Sequence, residues 1–208
     1  MARVVNIHPE SPQQRLLVQA AEFIRDGSLV ALPTDSCYAL GCHLGDKEAM
    51  DRIRQIRQMD DRHHLTLMVR DLSEIAHFAR VDNTQYRLLK ATTPGSYTFI
   101  LEGTKELPRR VLHPKRKTIG LRVPDHPVVL ALLQELNEPL LTTTLQLPGD
   151  DGPLTEGWEI QDRLADQLEL ILDAGHCGTE PTTVIDLTGS VPALIRAGRG
   201  SLVPFGLE

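Results

Sequence analysis

The sequence predicts one α/β-type layered domain, of mixed α+β character, in which helices flank a twisted, open, mixed sheet. Three observations predict it. Segments with helical apolar spacing alternate with short continuous apolar runs along the chain. Short Pro/Gly turn signals such as Pro94-Gly95 imply antiparallel neighbours besides crossover helices. The 208 residues lie near the upper end of one domain and show no composition break, repeat or low-complexity tract. Residues 1–208 are therefore expected to form a single domain with its core between about 11 and 200. With 41% hydrophobic and 24% charged residues, the composition excludes disorder, collagen and coiled coil.

The elements follow in order. Ser11 offers an N-cap, Leu17, Ala20, Ala21 and Ile24 form a helical stripe, and Gly27 stands past its end. Residues 28–33 read as a buried strand. Asp46 caps a second helix that turns Met50, Ile53 and Ile56 inward, and residues 65–69 read as another interior strand. Helices are expected over 72–79 and 83–91, then a strand over 97–101. A strongly periodic helix spans 127–136, with Val129, Leu132, Leu133 and Leu136 on one face, and precedes a strand at 139–143. A polar loop at 149–153, a helix at 160–167 and strands at 168–172, 182–187 and 193–196 complete the chain.

Bulk properties narrow the function classes. No apolar run approaches the roughly 18 residues of a membrane span, and residues 1–10 lack the apolar core of a signal peptide. A cytoplasmic protein with no membrane partner is expected. Cys37, Cys42 and Cys177 make neither a CxxC pair nor an even disulfide set, which fits a reducing compartment. They read as buried small hydrophobes, with metal binding or nucleophilic use of Cys37 or Cys42 as the alternative. The net charge of −6 disfavours indiscriminate nucleic-acid binding, so any anion site must be local.

Four segments concentrate polar chemistry. Pro33-Thr-Asp-Ser-Cys-Tyr-Ala-Leu-Gly41 follows a buried strand, and strand ends are where ligands meet α/β sheets. Alone, it reads equally as a structural turn. Lys105, Arg109, Arg110, His113, Lys115, Arg116 and Lys117, running into Thr118 to Arg122, form a basic cluster suited to phosphate, or a solvated basic turn. Thr142 to Gln146, and Thr182 to Asp186 with Arg196 to Gly200, are informative only in combination, because threonine favours strands anyway. No P-loop, GxGxxG, HExxH or nucleophile elbow occurs, and no metal site is expected.

Taken in order, these segments resemble the YrdC/YciO family, whose best-known members are threonylcarbamoyl-AMP synthases. The resemblance runs through Pro33-Thr34 to Gly41, Thr93-Pro-Gly95, Gly120-Leu-Arg-Val-Pro124 with His126-Pro127, Thr182 to Asp186, and Arg196-x-Gly198. The Asp-Ser-x-Tyr-Ala-Leu-Gly form and Arg-Gln-x-x-Asp at Arg57 are closer to the YciO branch. The resemblance implies a concave, positively charged face that has been linked to double-stranded RNA. It also implies chemistry that joins threonine, bicarbonate and ATP, with release of pyrophosphate, on the way to a modified tRNA adenosine.

Residue by residue, the resemblance places the substrate side on Thr34, His63, Arg122 and Thr182. It places the nucleotide side on Arg57, Thr118, Thr144, Gln146 and Arg196, and an RNA surface on Arg109, Arg110, Lys115, Arg116 and Lys117. The family's Lys-x-Arg here reads Arg57-Gln58-Met59, and its Ser-x-Asn reads Thr144-Leu145-Gln146. Met59 in place of arginine removes a charge-assisted bond worth roughly 1.5–3 kcal/mol, or about 10–100-fold. The implied function is a nucleotide- and RNA-binding protein with weak or altered threonylcarbamoyl-AMP synthase activity, linked to tRNA or rRNA. The alternative is a non-catalytic double-stranded RNA-binding factor with a vestigial adenylation site. No tightly bound cofactor is implied; ATP, with its Mg²⁺, would be a substrate.

Overall fold

Successive strand residues point to opposite faces, so apolar side chains at both parities require cover on both sides of the sheet. The strands here meet that condition over only part of one face. The computed structural model describes residues 1–60 and 64–208. Among these residues the chain forms β1 (Arg3–Asn6), α1 (Gln14–Arg25), β2 (Val30–Leu32), β3 (Ala39–His43), α2 (Lys47–Arg57) and β4 (Thr66–Met68). There follow α3 (Leu72–Phe78), α4 (Asn83–Thr92), β5 (Tyr97–Glu102), β6 (Thr118–Arg122), α5 (Pro127–Leu136) and β7 (Leu140–Thr144). The chain ends with α6 (Gly157–Leu164), β8 (Leu170–Asp173), β9 (Thr183–Asp186) and β10 (Ala193–Arg196).

The ten strands make one sheet in the order β1-β8-β2-β3-β7-β4-β6-β5-β9-β10. Pairing is parallel at β1·β8, β2·β8, β4·β6 and β5·β9, and antiparallel at the other contacts, which is the mixed sheet expected. No helix among the described residues is long and apolar enough to cross a membrane.

On one face, Leu17, Ala20, Ala21 and Ile24 of α1 and Val128, Val129, Leu132, Leu133 and Leu136 of α5 bury against Val30, Leu32, Ala39, Leu140, Leu170 and Leu172. These two helices stop there. The opposite face is largely apolar, with Ala31, Leu40, Leu67, Phe99, Leu121, Leu141, Ile171 and Ile185 covered by residues of α2, α3, α4 and α6. Beyond α1 and α5 the first face continues across β7, β4, β6, β5 and β9 with no helix over it among the described residues. There its positions are Thr66, Thr142, Thr144, Thr98, Thr118, Gly120, Arg122 and Val184, and all of them border an open hollow.

Most helices and strands stand within two residues of the sequence expectation, with four departures. β3 and β6 form where a polar motif and the end of a basic stretch were read, because small residues such as Ala39, Gly41, Cys42 and Gly120 fit strands paired on both edges. β1 pairs in parallel with β8 through a segment that carries no strand signal of its own. The first helix starts at Gln14 rather than at Ser11, whose N–H is taken by His8 Nδ1 at 3.0 Å. The helix read at 160–167 lies at Gly157–Leu164.

Leu133 is fully buried between α5 and α1. Leu133→Ala is expected to lower the unfolding free energy by about 2–5 kcal/mol in urea titration, and a loss below about 1 kcal/mol would show that this layer collapses to fill the space.

Candidate functional site

The site begins with a turn that a threonine ties. Thr34 Oγ1 accepts the N–H groups of Ser36 and Cys37, each at 3.1 Å, and donates to the Cys37 carbonyl at 2.6 Å. The hydroxyl is thereby spent within the turn, and Thr34 is buried just behind the hollow instead of bordering it. What the turn presents is Asp35, Ser36, Cys37 and Tyr38, the last three of which line the hollow.

Asp35 meets Arg122, the last residue of β6. Arg122 Nη2 donates to Asp35 Oδ1 at 2.5 Å and Nη1 to Ser36 Oγ at 3.3 Å, while the second Asp35 oxygen accepts from Ser96 Oγ at 2.5 Å. Both members of the pair are almost fully enclosed, with side chains 8% and 10% exposed. Burial lowers the Arg122 pKa and the Asp35 carboxylate counters it, the net direction being down. Arginine keeps its charge regardless. Arg122 Nε is buried without a hydrogen-bond partner among the described residues.

Thr182, just before β9, places its hydroxyl 2.8 Å from that of Thr98 on β5. Arg196 on β10 donates to the Thr182 carbonyl from Nε at 3.2 Å and Nη2 at 2.8 Å, and to its hydroxyl at 3.2 Å. Burial lowers the Arg196 pKa. Gly198 lets the chain pass: a Cβ there would fall 2.3 Å from the Pro181 carbonyl. At the other side Arg57, at the end of α2, donates to the Gln146 carbonyl, and Gln146 Nε2 donates to the Asp150 carbonyl at 2.9 Å. Arg163 grips the Asp150 carboxylate at 2.6 and 3.1 Å, anchoring that loop. Met59 lies beside it, its sulfur 3.9 Å from the Thr143 hydroxyl.

The result is a hollow of about 780 Å³ over β7, β4, β6, β5 and β9, within the size range of small-molecule sites. Arg57, Thr118, Arg122, Thr144, Gln146, Thr182 and Arg196, far apart in the chain, all border it. The guanidiniums of Arg57, Arg116, Arg122 and Arg196 stand there against Asp151, so the hollow is basic within an acidic chain. His63 lies outside the described residues.

Of the basic stretch, Arg116 alone among Arg109, Arg110, Lys115, Arg116 and Lys117 borders the hollow, and it pairs with Asp186 at 2.6 Å. Burial by itself would raise the Asp186 pKa, but bonds from Thr188 and Arg116 hold it below the usual carboxylate range. Arg110 donates to the Gly45 carbonyl and Lys117 to the Pro114 carbonyl, while all five side chains stay exposed. The three thiols are free and buried, and burial pushes Cys42 up to about 12, Cys177 up to about 11 and Cys37 upward despite Arg122. That environment suits small buried hydrophobes better than thiolate nucleophiles. Sequence reasoning missed the roles of Asp35, Ser36 and Ser96, because Asp35 and Arg122 stand 87 positions apart and no local pattern joins them.

This mixed sheet with a basic, threonine-floored hollow defines a class. Residues 22–198 match the sequence model of the Sua5/YciO/YrdC family, described as telomere recombination, and the chain belongs to that family. It is 54% identical over 205 residues to the uncharacterized protein YciO of Escherichia coli (strain K12), covering 99% of this chain and all of that one. It is 28% identical over 201 residues to the threonylcarbamoyl-AMP synthase of Pyrococcus abyssi, covering 95% of this chain and 58% of that protein. Among solved structures, E. coli YciO superposes with a TM-score of 0.95 at 54% identity, over 99% of this chain and 100% of that one. P. abyssi Sua5 complexed with L-threonine superposes with a TM-score of 0.87 at 27% identity, over 95% of this chain and 58% of that chain.

Removing one partner of a buried pair strands the other charge, at a cost of roughly 3–5 kcal/mol. Asp35→Asn is therefore expected to destabilise the fold by about that amount in urea titration, whereas Asp51→Asn, at an exposed helix pair, should leave the unfolding midpoint close to that of wild type.

Proposed function

We propose that the hollow binds an adenine nucleotide together with an amino-acid-derived carboxylate, and that the chain carries out a weak or altered form of threonylcarbamoyl-AMP synthesis. The observation that carries this reading is Arg122, a buried guanidinium fixed by Asp35 and Ser36 at the edge of a basic hollow of about 780 Å³. Such a group is a preorganised partner for an anion, since its orientation is settled before the ligand arrives. The activity of the P. abyssi relative and the L-threonine bound in a solved relative support the same assignment.

In this reaction the threonine amine displaces water from bicarbonate to give a carbamate, whose carboxylate oxygen forms a bond to the α-phosphorus of ATP. The bond from that phosphorus to the bridging oxygen breaks, and pyrophosphate leaves. The chain's contribution is positioning and charge stabilisation. Arg122 and Thr182 are assigned to the carboxylate end, with Thr34 shaping the turn beneath them. Arg57, Thr118, Thr144, Gln146 and Arg196 are assigned to the nucleotide, whose Mg²⁺ enters as part of the substrate. Met59 puts a thioether where the synthases of the family carry an arginine, which weakens the hold on the triphosphate and accounts for the reduced activity proposed.

Incubation with ATP, threonine and bicarbonate should release pyrophosphate slowly. Arg122→Ala should abolish the release, and Met59→Arg should raise it by about tenfold or more. Release from wild type no greater than from Arg122→Ala would overturn the reading.

A second reading, RNA binding, draws on one observation: Arg109, Lys115 and Lys117 are exposed together beside the hollow in a chain of net charge −6. Arg116 is answered by Asp186, whereas Arg110 and Lys117 bond only to the carbonyls of Gly45 and Pro114 and keep their charge, as do Arg109 and Lys115. Replacing Arg109, Lys115 and Lys117 with Glu should weaken double-stranded RNA binding and flatten its salt dependence by about one unit of slope per lost phosphate contact. Unchanged affinity and slope would remove RNA as a partner of this surface.

A further inference from the structure

Three His-Pro dipeptides punctuate the chain, at His8-Pro9, His113-Pro114 and His126-Pro127. Each uses its imidazole in the same way. His8 Nδ1 accepts from the N–H groups of Glu10 and Ser11, His126 Nδ1 from that of Val128, and His113 Nδ1 from those of Lys115 at 3.3 Å and Arg116 at 3.1 Å. The motif is a turn closed by a side-chain acceptor, as Asn and Asp turns are. Of the three histidines, His113 is the one that also borders the hollow.

The position of His113 is unusually well determined. Its own N–H donates to the Thr118 carbonyl at 2.8 Å and its carbonyl accepts from Lys117 at 2.9 Å. With two N–H groups directed at Nδ1, that atom must be the unprotonated one, which leaves the ring proton on Nε2. The ring therefore carries a fixed N–H, and His113 borders the hollow together with Arg116, Thr118 and His64, whose ring lies 5.1 Å away. A neutral donor held this way favours an anionic oxygen without the desolvation cost of another cation.

We propose that His113 contacts the ligand directly, donating Nε2–H to a phosphate oxygen of the nucleotide. This rests on the reading that the hollow takes a nucleotide, and it gives one member of the basic stretch a direct contact through a defined atom.

Two variants separate ligand contact from turn closure. Asn at this position can offer its Oδ1 where Nδ1 stands and keep the turn, but it has nothing at Nε2. Gln can reach the Nε2 position with its amide N–H but gives up the Nδ1 acceptor. Titration calorimetry with AMP, and separately with inorganic pyrophosphate, should show His113→Asn weakened by about tenfold or more and His113→Gln within about threefold of wild type. His113→Asn binding as wild type does, or His113→Gln falling as far as His113→Asn, would overturn the proposal and leave His113 a turn residue. If wild type binds pyrophosphate but not AMP, the nucleotide reading fails while the pyrophosphate series still decides the role of His113. If wild type binds neither, both fall.

Discussion

The buried pair of Arg122 and Asp35 is the interaction on which the site depends. Taking a guanidinium and a carboxylate out of water costs several kcal/mol each, and only close, well-aligned pairing offsets it. Here the alignment is imposed from several directions. Thr34 ties the turn that carries Asp35, Ser96 binds the carboxylate's second oxygen, Ser36 takes a second Arg122 nitrogen, and β6 fixes the arginine's Cα between β4 and β5. A charge held this rigidly contributes little net stability. What it contributes is a direction, because the nitrogens and the field of Arg122 are settled before anything enters the hollow.

The hollow itself follows from unequal cover of one sheet. Leu67, Phe99, Leu121, Leu141 and Ile185 need burial, and α2, α3, α4 and α6 supply it beneath the whole central sheet. On the other side, α1 and α5 pack on each other and on one end of the sheet, and they leave the threonine-bearing half open to the hollow. Threonine suits that position doubly. Its β-branch favours the strand and its hydroxyl tolerates water, so no helix is needed to cover it. The floor stays low because the side chains are small; a Cβ on Gly120 would already stand 3.0 Å from the Thr98 methyl.

The sequence made most of this frame legible wherever periodicity or capping chemistry was strong. The apolar stripe of α1 is Leu17, Ala20, Ala21 and Ile24, as its spacing demanded, and Asp46 caps α2 by accepting from Ala49 N–H. Short strands of small residues gave no such signal. β3 carries Gly41 and Cys42, and β6 carries Gly120 between a basic stretch and Arg122, so neither has the β-branched run that marks a strand from sequence. Within the site, side chains with chemistry of their own could be named in advance, while groups that act by orienting them could not. Asp35 reads as one more turn residue until folding sets it beside an arginine from β6. Thr34 shows the converse: its hydroxyl invited a ligand role, and the turn consumes it.

Charge accounting around the hollow limits what could fill it. Arg122 is answered by Asp35 and Arg116 by Asp186, whereas Arg57 and Arg196 bond to carbonyl oxygens and so keep their full positive charge. These two stand on opposite sides of the hollow, one bonded to the Gln146 carbonyl just past β7 and the other to Thr182 just before β9, with β4, β6 and β5 between those strands. A lone phosphate or a free amino acid cannot answer both at once. An elongated ligand can, with anionic or strongly polar groups towards its two ends and a middle that rests on hydroxyls. The ligand proposed above, a nucleotide joined to an amino-acid-derived carboxylate, has that form. The spacing of charge along the sheet thus favours a joined ligand over either of its halves, independently of which residue stands at position 59.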